Sequence, residues 1–218
     1  MSAKKICITS VSAAVAEAMQ GTSAAPGAKV PLSALWAEGA PAAPGTAPAP
    51  PATVLCFLRR LGCKICRVLA QDMEKLRVDV GAGARVVCLS YERLGEGSDA
   101  DRSFTSGAFF AGEMYRVEQG EVYAPLFGRK GLLQGYGLGS LLSDKSGKLA
   151  VAQARGTTGN LTGDGMQLGG LFVLDGAGAV LLDKRQSYFG DDATNDEVLA
   201  AIASCQRAPA AAAGGGSQ

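Results

Sequence analysis

Five apolar residues in a row, Val54-Leu-Cys-Phe-Leu58, stand just before Cys63-Lys-Ile-Cys66, and the cysteines open a stretch of helical periodicity. A strand with one wet face alternates polar and apolar residues, so an unbroken apolar run of this length reads as a strand buried on both faces. From Cys63 the positions Ile65, Val68, Leu69, Met73, Leu76 and Val80 follow steps of three and four. They lay one apolar stripe along a helix that ends near Gly81 and Gly83. Val86-Val-Cys-Leu89 is a second buried strand. Strand, helix and strand at this spacing make a crossover unit whose two strands run parallel.

Further on, Leu171-Phe-Val-Leu174 and Ala179-Val-Leu-Leu182 flank Asp-Gly-Ala-Gly, which reads as an antiparallel hairpin whose turn glycines supply positive φ. Thr194 followed by Glu197 is a capping-box pattern, and it places Val198, Leu199, Ile202 and Cys205 on one face of a closing helix. Strand, helix, strand, then strand, strand, helix is the connectivity of the thioredoxin fold. The expected class is therefore α/β, a thioredoxin-like fold with a central mixed sheet flanked by helices. Residues from about Gly95 to Gly170 form an insertion that the pattern places only roughly.

The rest of the chain sets the boundaries. Residues 1–39 read as an N-terminal extension packing on the domain, and 53–206 as the thioredoxin-like domain. Between them, 40–52 is a Pro/Ala-rich linker or inserted loop, holding five of the nine prolines. Residues 207–218 are expected to be a disordered tail, because 208–218 carry three consecutive glycines and no charge or large side chain to offset the entropy of ordering them.

Lys plus Arg number 21 against 20 Asp plus Glu, so there is no field of one sign to attract nucleic acid or an anionic membrane. No apolar run approaches the ~20 residues of a membrane span, and the first residues lack the pattern of a targeting peptide. These readings predict a cytoplasmic protein. In that compartment the six cysteines are expected to be reduced, catalytic or metal-bound rather than a disulfide framework.

A Cys-x-x-Cys pair just past a strand end, at the head of a helix, is a context for redox chemistry. Three residues of helix bring both sulfurs to one face, within reach of a disulfide. Unpaired N–H groups and the positive end of the dipole stabilise a thiolate at the first position, which makes Cys63 the candidate nucleophile. Arg59, Arg60 and Lys64 add positive charge, and Cys66 is the candidate resolving thiol.

Two other readings stand beside this one. A zinc site would need further ligands, and the chain has neither a histidine nor a second cysteine pair. The pair could also be two small core residues, which is the reading for Cys56, Cys88 and Cys205; Cys7 is unassigned. Without histidine, activation of a thiolate falls to the dipole and the basic residues. Gly135-Tyr-Gly-Leu-Gly139 matches neither a phosphate loop nor a dinucleotide fingerprint. The segment Arg155 to Gly170 holds six glycines and Gln167. It reads either as a backbone surface that a substrate can approach or as an ordinary loop.

Three blocks carry a more specific likeness: Val-Leu-Cys-Phe-Leu-Arg-Arg-Leu-Gly-Cys-Lys-Ile-Cys-Arg at 54–67, Phe-Phe-Ala-Gly-Glu-Met-Tyr at 109–115, and Gly-Asn-Leu-Thr-Gly-Asp-Gly-Met-Gln-Leu-Gly-Gly-Leu at 159–171. In this order they resemble the peroxiredoxin-like 2 family, of the prostamide/prostaglandin F synthase type. The resemblance implies a dithiol at Cys63 and Cys66 that reduces a prostaglandin endoperoxide or related lipid peroxide. It also implies that no cofactor is bound and that NADPH is an indirect electron source through a thioredoxin-type partner. Arg60, Gln167, Gly169 and Gly170 are then the candidates for substrate contact. Where peroxiredoxins carry Pro and Thr ahead of the peroxidatic cysteine, this chain has Cys56 and Arg60; where thioredoxins carry a cis-proline, it has Gly169 and Gly170. A general peroxiredoxin-like antioxidant and a non-catalytic redox-sensing binding module are the alternative functions.

Overall fold

A computed structural model of the chain describes residues 6–22, 25–37, 51–94, 104, 109–129, 146–161 and 163–207. The linker residues 40–50, the glycines between 135 and 139 and the tail 208–218 lie outside the described residues.

Seven strands form one mixed sheet: β1 (Val15–Gln20), β2 (Lys29–Pro31), β3 (Ala52–Phe57), β4 (Arg85–Ser90), β5 (Glu113–Val117), β6 (Gly170–Asp175) and β7 (Val180–Arg185), in the spatial order β2-β1-β5-β4-β3-β6-β7. The α-helices described are α1 (Lys64–Val80), the short α2 (Ala124–Phe127), α3 (Lys148–Ala154) and α4 (Asn195–Arg207). β3 is central and buried along its whole length, as its unbroken apolar run requires. It pairs parallel with β4, from Thr53 opposite Arg85 to Phe57 opposite Leu89. On its other side it pairs antiparallel with β6, from Ala52 opposite Asp175 to Phe57 opposite Gly170. β6 and β7 form the expected antiparallel hairpin.

Alternate residues of β3 serve two cores. Val54 and Cys56 join Leu69, Met73, Val86, Cys88, Val198 and Ile202 on the face covered by α1 and α4. Leu55 and Phe57 join Val87, Leu89, Tyr123, Phe127 and Phe172 on the opposite face, which Ile8, Leu32, Leu35 and Trp36 of the N-terminal segment cover. That segment also extends the sheet, with β1 antiparallel to β5 and β2 antiparallel to β1.

The insertion contains a strand that its sequence does not announce. β5 lies parallel to β4, and its charged residues break the apolar pattern because they are held by ion pairs rather than by water alone. Glu113 pairs with Arg85 at 2.7 Å, and Arg116 with Glu17 at 3.4 Å.

Two smaller differences concern the hairpin turn and the last helix. Of the turn glycines only Gly178 takes a positive φ, 87°. The turn is closed instead by the Asp175 carboxylate, which accepts from the Ala177 and Ala179 N–H groups at 3.0 and 2.7 Å. In α4, Val198 and Ile202 are buried while Leu199 is 41% exposed, so the buried stripe is narrower than the apolar one. The capping box forms as expected: Glu197 N–H donates to Thr194 Oγ1, and Thr194 N–H to Glu197 Oε2. Among the described residues no helix is long and apolar enough to cross a membrane.

Candidate active site

The chain leaves β3 at Phe57 and turns into α1 within a few residues, and many backbone groups of that turn are held. Leu58 N–H donates to the Leu89 carbonyl at 2.8 Å, extending the pairing with β4. The buried Tyr123 hydroxyl lies 2.8 Å from both the Leu58 and Leu89 carbonyls. Leu61 N–H donates to Glu92 Oε2 at 2.7 Å, and Cys63 N–H to the Arg60 carbonyl at 3.3 Å. Cys63 is the N-cap of α1, with extended backbone angles, and its carbonyl accepts the first helical bond from Arg67 N–H at 3.0 Å. Cys66 lies one turn inside.

Both thiols are free and buried, Cys63 at 7% and Cys66 at 2% exposure. Their electrostatics are opposite. Cys63 is held well below the usual thiol range by the Cys66 thiol that hydrogen-bonds to it, by the Arg59 guanidinium, by the Cys66 backbone N–H and by Arg60; together these outweigh its burial. Cys66, the donor in that bond and buried beside a thiolate, is pushed well above the range. The pair therefore shares one proton, which sits on Cys66.

Arg59 is the nearest cation: its Nη2 donates to Cys63 Sγ at 2.9 Å, and its guanidinium lies over the Phe189 ring, 4.0 Å from the centroid. Three arginines flanking the dithiol each hold one carbonyl of the loop that covers it. Arg59 Nη1 donates to Gly165, Arg60 Nη2 to Asn160 and Arg67 Nη1 to Thr158, at 2.8, 2.7 and 2.8 Å. Arg67 also donates from Nε to the Leu61 carbonyl and lies over Phe109. All three are at least nine-tenths buried, whereas Lys64 is exposed. The loop returns one bond, Asn160 N–H to the Gly62 carbonyl at 2.7 Å. A Cβ at Gly159 would lie 2.9 Å from that same carbonyl, so glycine is what lets the loop settle on the head of α1.

The other candidate residues, Gln167, Gly169 and Gly170, lie at the start of β6 and just before it. Gln167 is fully buried; its Nε2 donates to the Gly128 and Leu168 carbonyls, and its Oε1 accepts from Gln119. Gly169 has both backbone groups bonded to Gln186, its N–H to Oε1 at 2.9 Å and its carbonyl to the Gln186 N–H at 3.0 Å. A Cβ there would strike the Phe57 carbonyl oxygen. At Gly170 a Cβ would come within 2.7 Å of the Phe127 ring. Arg67, Tyr91, Tyr123 and Phe189 also build the site, although the sequence reading did not single them out. Of these only Arg67 lay within a quoted block.

The remaining cysteines sit elsewhere. Cys56 and Cys88 face each other across β3 and β4, and the bond to Cys88 together with burial pushes the Cys56 thiol well up, leaving it unreactive. Cys205 is half-buried on α4, with its Sγ 3.0 Å from the Pro51 carbonyl, and Cys7 is exposed. Among the described residues no group of three His, Cys, Asp or Glu side chains could hold a metal ion.

This arrangement is chemically suited to thiol redox chemistry: a stabilised thiolate, a protonated neighbour one turn away, and a buried cation on the sulfur. The chain matches the AhpC/TSA antioxidant enzyme family over residues 68–187. It is 35% identical over 183 residues to the prostamide/prostaglandin F synthase of Sus scrofa, covering 81% of this chain and 80% of that protein. With the Homo sapiens enzyme of the same name it shares 35% over 180 residues, 79% of this chain and 80% of the relative. Among solved structures, the bacterioferritin comigratory protein of Xanthomonas campestris superposes with a TM-score of 0.52 at 15% identity, covering 93% of this chain and 98% of that one. Peroxiredoxin Q of the same organism gives 0.52 at 16% identity, covering 94% and 98%. These two likenesses establish the shared thioredoxin-like fold.

Proposed function

The chain belongs to the AhpC/TSA antioxidant enzyme family, in the branch of the prostamide/prostaglandin F synthases, and is a thiol-dependent oxidoreductase; from there we propose that it reduces the O–O bond of a prostaglandin-type endoperoxide or related lipid peroxide. The observation that carries this reading is the division of labour in the dithiol: a thiolate on Cys63, held by Arg59, and the shared proton on Cys66. Thiolate attack on a weak O–O bond leaves oxygen on Cys63, and Cys66 then condenses with it to a disulfide. Arg60, Gln167, Gly169 and Gly170 serve the substrate by fixing the walls of the loop around the sulfur. NADPH reaches the disulfide indirectly, through a thioredoxin-type protein in the cytoplasm, and no cofactor is held by this chain.

The test is NADPH consumption in the presence of thioredoxin and its reductase, with a prostaglandin endoperoxide, a lipid hydroperoxide and hydrogen peroxide compared. Turnover that favours the first two supports the proposal. Equal turnover of all three makes the protein a general antioxidant, and none with any makes it a redox-sensing binding module.

A further inference from the structure

Breaking an O–O bond with a thiolate creates an alkoxide, and the chain has no histidine to protonate it. Cys66 carries one proton, but reduction to two hydroxyl groups needs two. Tyr91 offers a second donor on the loop that Arg59 also holds. It follows β4 as Arg59 follows β3, each two positions beyond the last paired residues, Leu89 and Phe57. Its hydroxyl donates to the Asp164 carbonyl at 3.3 Å, while Arg59 Nη1 donates to the neighbouring Gly165 carbonyl at 2.8 Å. Phenol and guanidinium thus hold adjacent peptide units of one loop, and the guanidinium also touches Cys63 Sγ.

The Tyr91 bond is long for O–H to O, where about 2.7–2.8 Å is typical, so the proton is weakly committed. Its acceptor is firmly held: the Asp164 carboxylate accepts from Gln119 and Met166 N–H and pairs with Arg129. The ring is braced edge-on against Tyr123, 5.0 Å between centroids. Tyr91 is half-buried, whereas Tyr123 is fully buried and bonded between two main-chain carbonyls, out of reach of a substrate.

We propose that the Tyr91 phenol donates the proton to the oxygen that leaves when Cys63 opens the O–O bond, a role that rests on the peroxide-reducing function proposed above. Cys63 Sγ bonds to one oxygen, and the electron pair of the O–O bond goes to the other, which takes the Tyr91 proton. Cys66 Sγ then attacks Cys63 Sγ, forming the disulfide and displacing the second oxygen, which leaves with the Cys66 proton. Tyrosinate recovers its proton from water. The peroxide gains two electrons and the dithiol loses two. Burial, with the carboxylates of Glu92 and Asp164 nearby, raises the phenol above its ordinary range, so tyrosinate is quickly reprotonated.

The test is single-turnover oxidation of the reduced full chain, wild type against Tyr91→Phe, which keeps the ring. The oxidants are tert-butyl hydroperoxide, whose alkoxide leaves poorly, and peracetic acid, whose acetate leaves without help. Loss of a general acid predicts a rate lower by about a hundredfold with the first and unchanged with the second, with iodoacetamide alkylation of Cys63 also unchanged. An unaltered rate with tert-butyl hydroperoxide, or an equal loss with both oxidants or with iodoacetamide, overturns the role of Tyr91. A wild-type protein inert to both peroxides and to the prostaglandin endoperoxide and lipid hydroperoxide of the NADPH assay overturns the peroxide-reducing function itself, and this role with it.

Discussion

Arg59 and Cys63, one helical turn apart in sequence, meet as guanidinium and thiolate at 2.9 Å, with the arginine buried to 2% exposure and fixed at its far end by Gly165. A cation in this position favours the ionised sulfur whenever the two are in contact, because little water is present to screen them.

The sign of the resulting pH dependence follows directly. Cys63 lies well below the usual thiol range, so alkylation by iodoacetamide rises to its plateau at a lower pH than for an ordinary cysteine, and is lost as the pH falls. Arg59→Met removes one of the stabilising charges and moves the inflection upward. Each unit of that shift above the working pH costs about tenfold in rate. A pH profile of alkylation in wild type and variant measures it, and coincident profiles would refute the role of Arg59.

The two cysteines differ in what their loss leaves behind. Cys63→Ser abolishes NADPH-coupled turnover, whereas Cys66→Ser still reacts once and retains a sulfenate or mixed disulfide on Cys63, visible by intact-protein mass spectrometry. Full turnover in Cys63→Ser would sink the assignment of the nucleophile.

Gly169→Ala drives a methyl group into the Phe57 carbonyl oxygen at the end of β3. The strand ends must part, at a cost of about 1–3 kcal/mol, read as a lower urea midpoint. A variant as stable as wild type would show that the approach of β6 to β3 can relax freely.

Gln167→Leu keeps the volume but strips the donors from the Gly128 and Leu168 carbonyls and the acceptor from Gln119. Leaving such groups buried and unbonded costs about 1–3 kcal/mol, measurable by thermal or urea unfolding.

The sheet's centre was legible because it is extreme: β3 has no polar side chain beyond Thr53, and α1 repeats its apolar residues without a break. The hairpin and the capping box were legible for the same local reason. β5 was not, because Glu113 and Arg116 interrupt its pattern and their partners, Arg85 and Glu17, come from other strands. The dithiol could be read from spacing and context, and the nearby positive charge was visible as Arg59, Arg60 and Lys64. Which cation touches sulfur could not be, since it depends on Lys64 pointing to solvent and Arg59 turning inward beneath a loop some hundred residues away in the chain. Tyr91 was equally hidden: a lone tyrosine after a strand has no pattern, and it gains its place only when Asp164 and Arg59 are brought beside it.

The arginines grip their covering loop by main-chain oxygens at Thr158, Asn160 and Gly165. A carbonyl is offered by every residue type, so these three grips leave the 91% exposed Leu161 side chain out of what fixes the path of that loop. Substitutions at Leu161 can therefore reshape the outer surface of the loop while the sulfur chemistry beneath is left as it was, which makes that position a natural starting point for redesign.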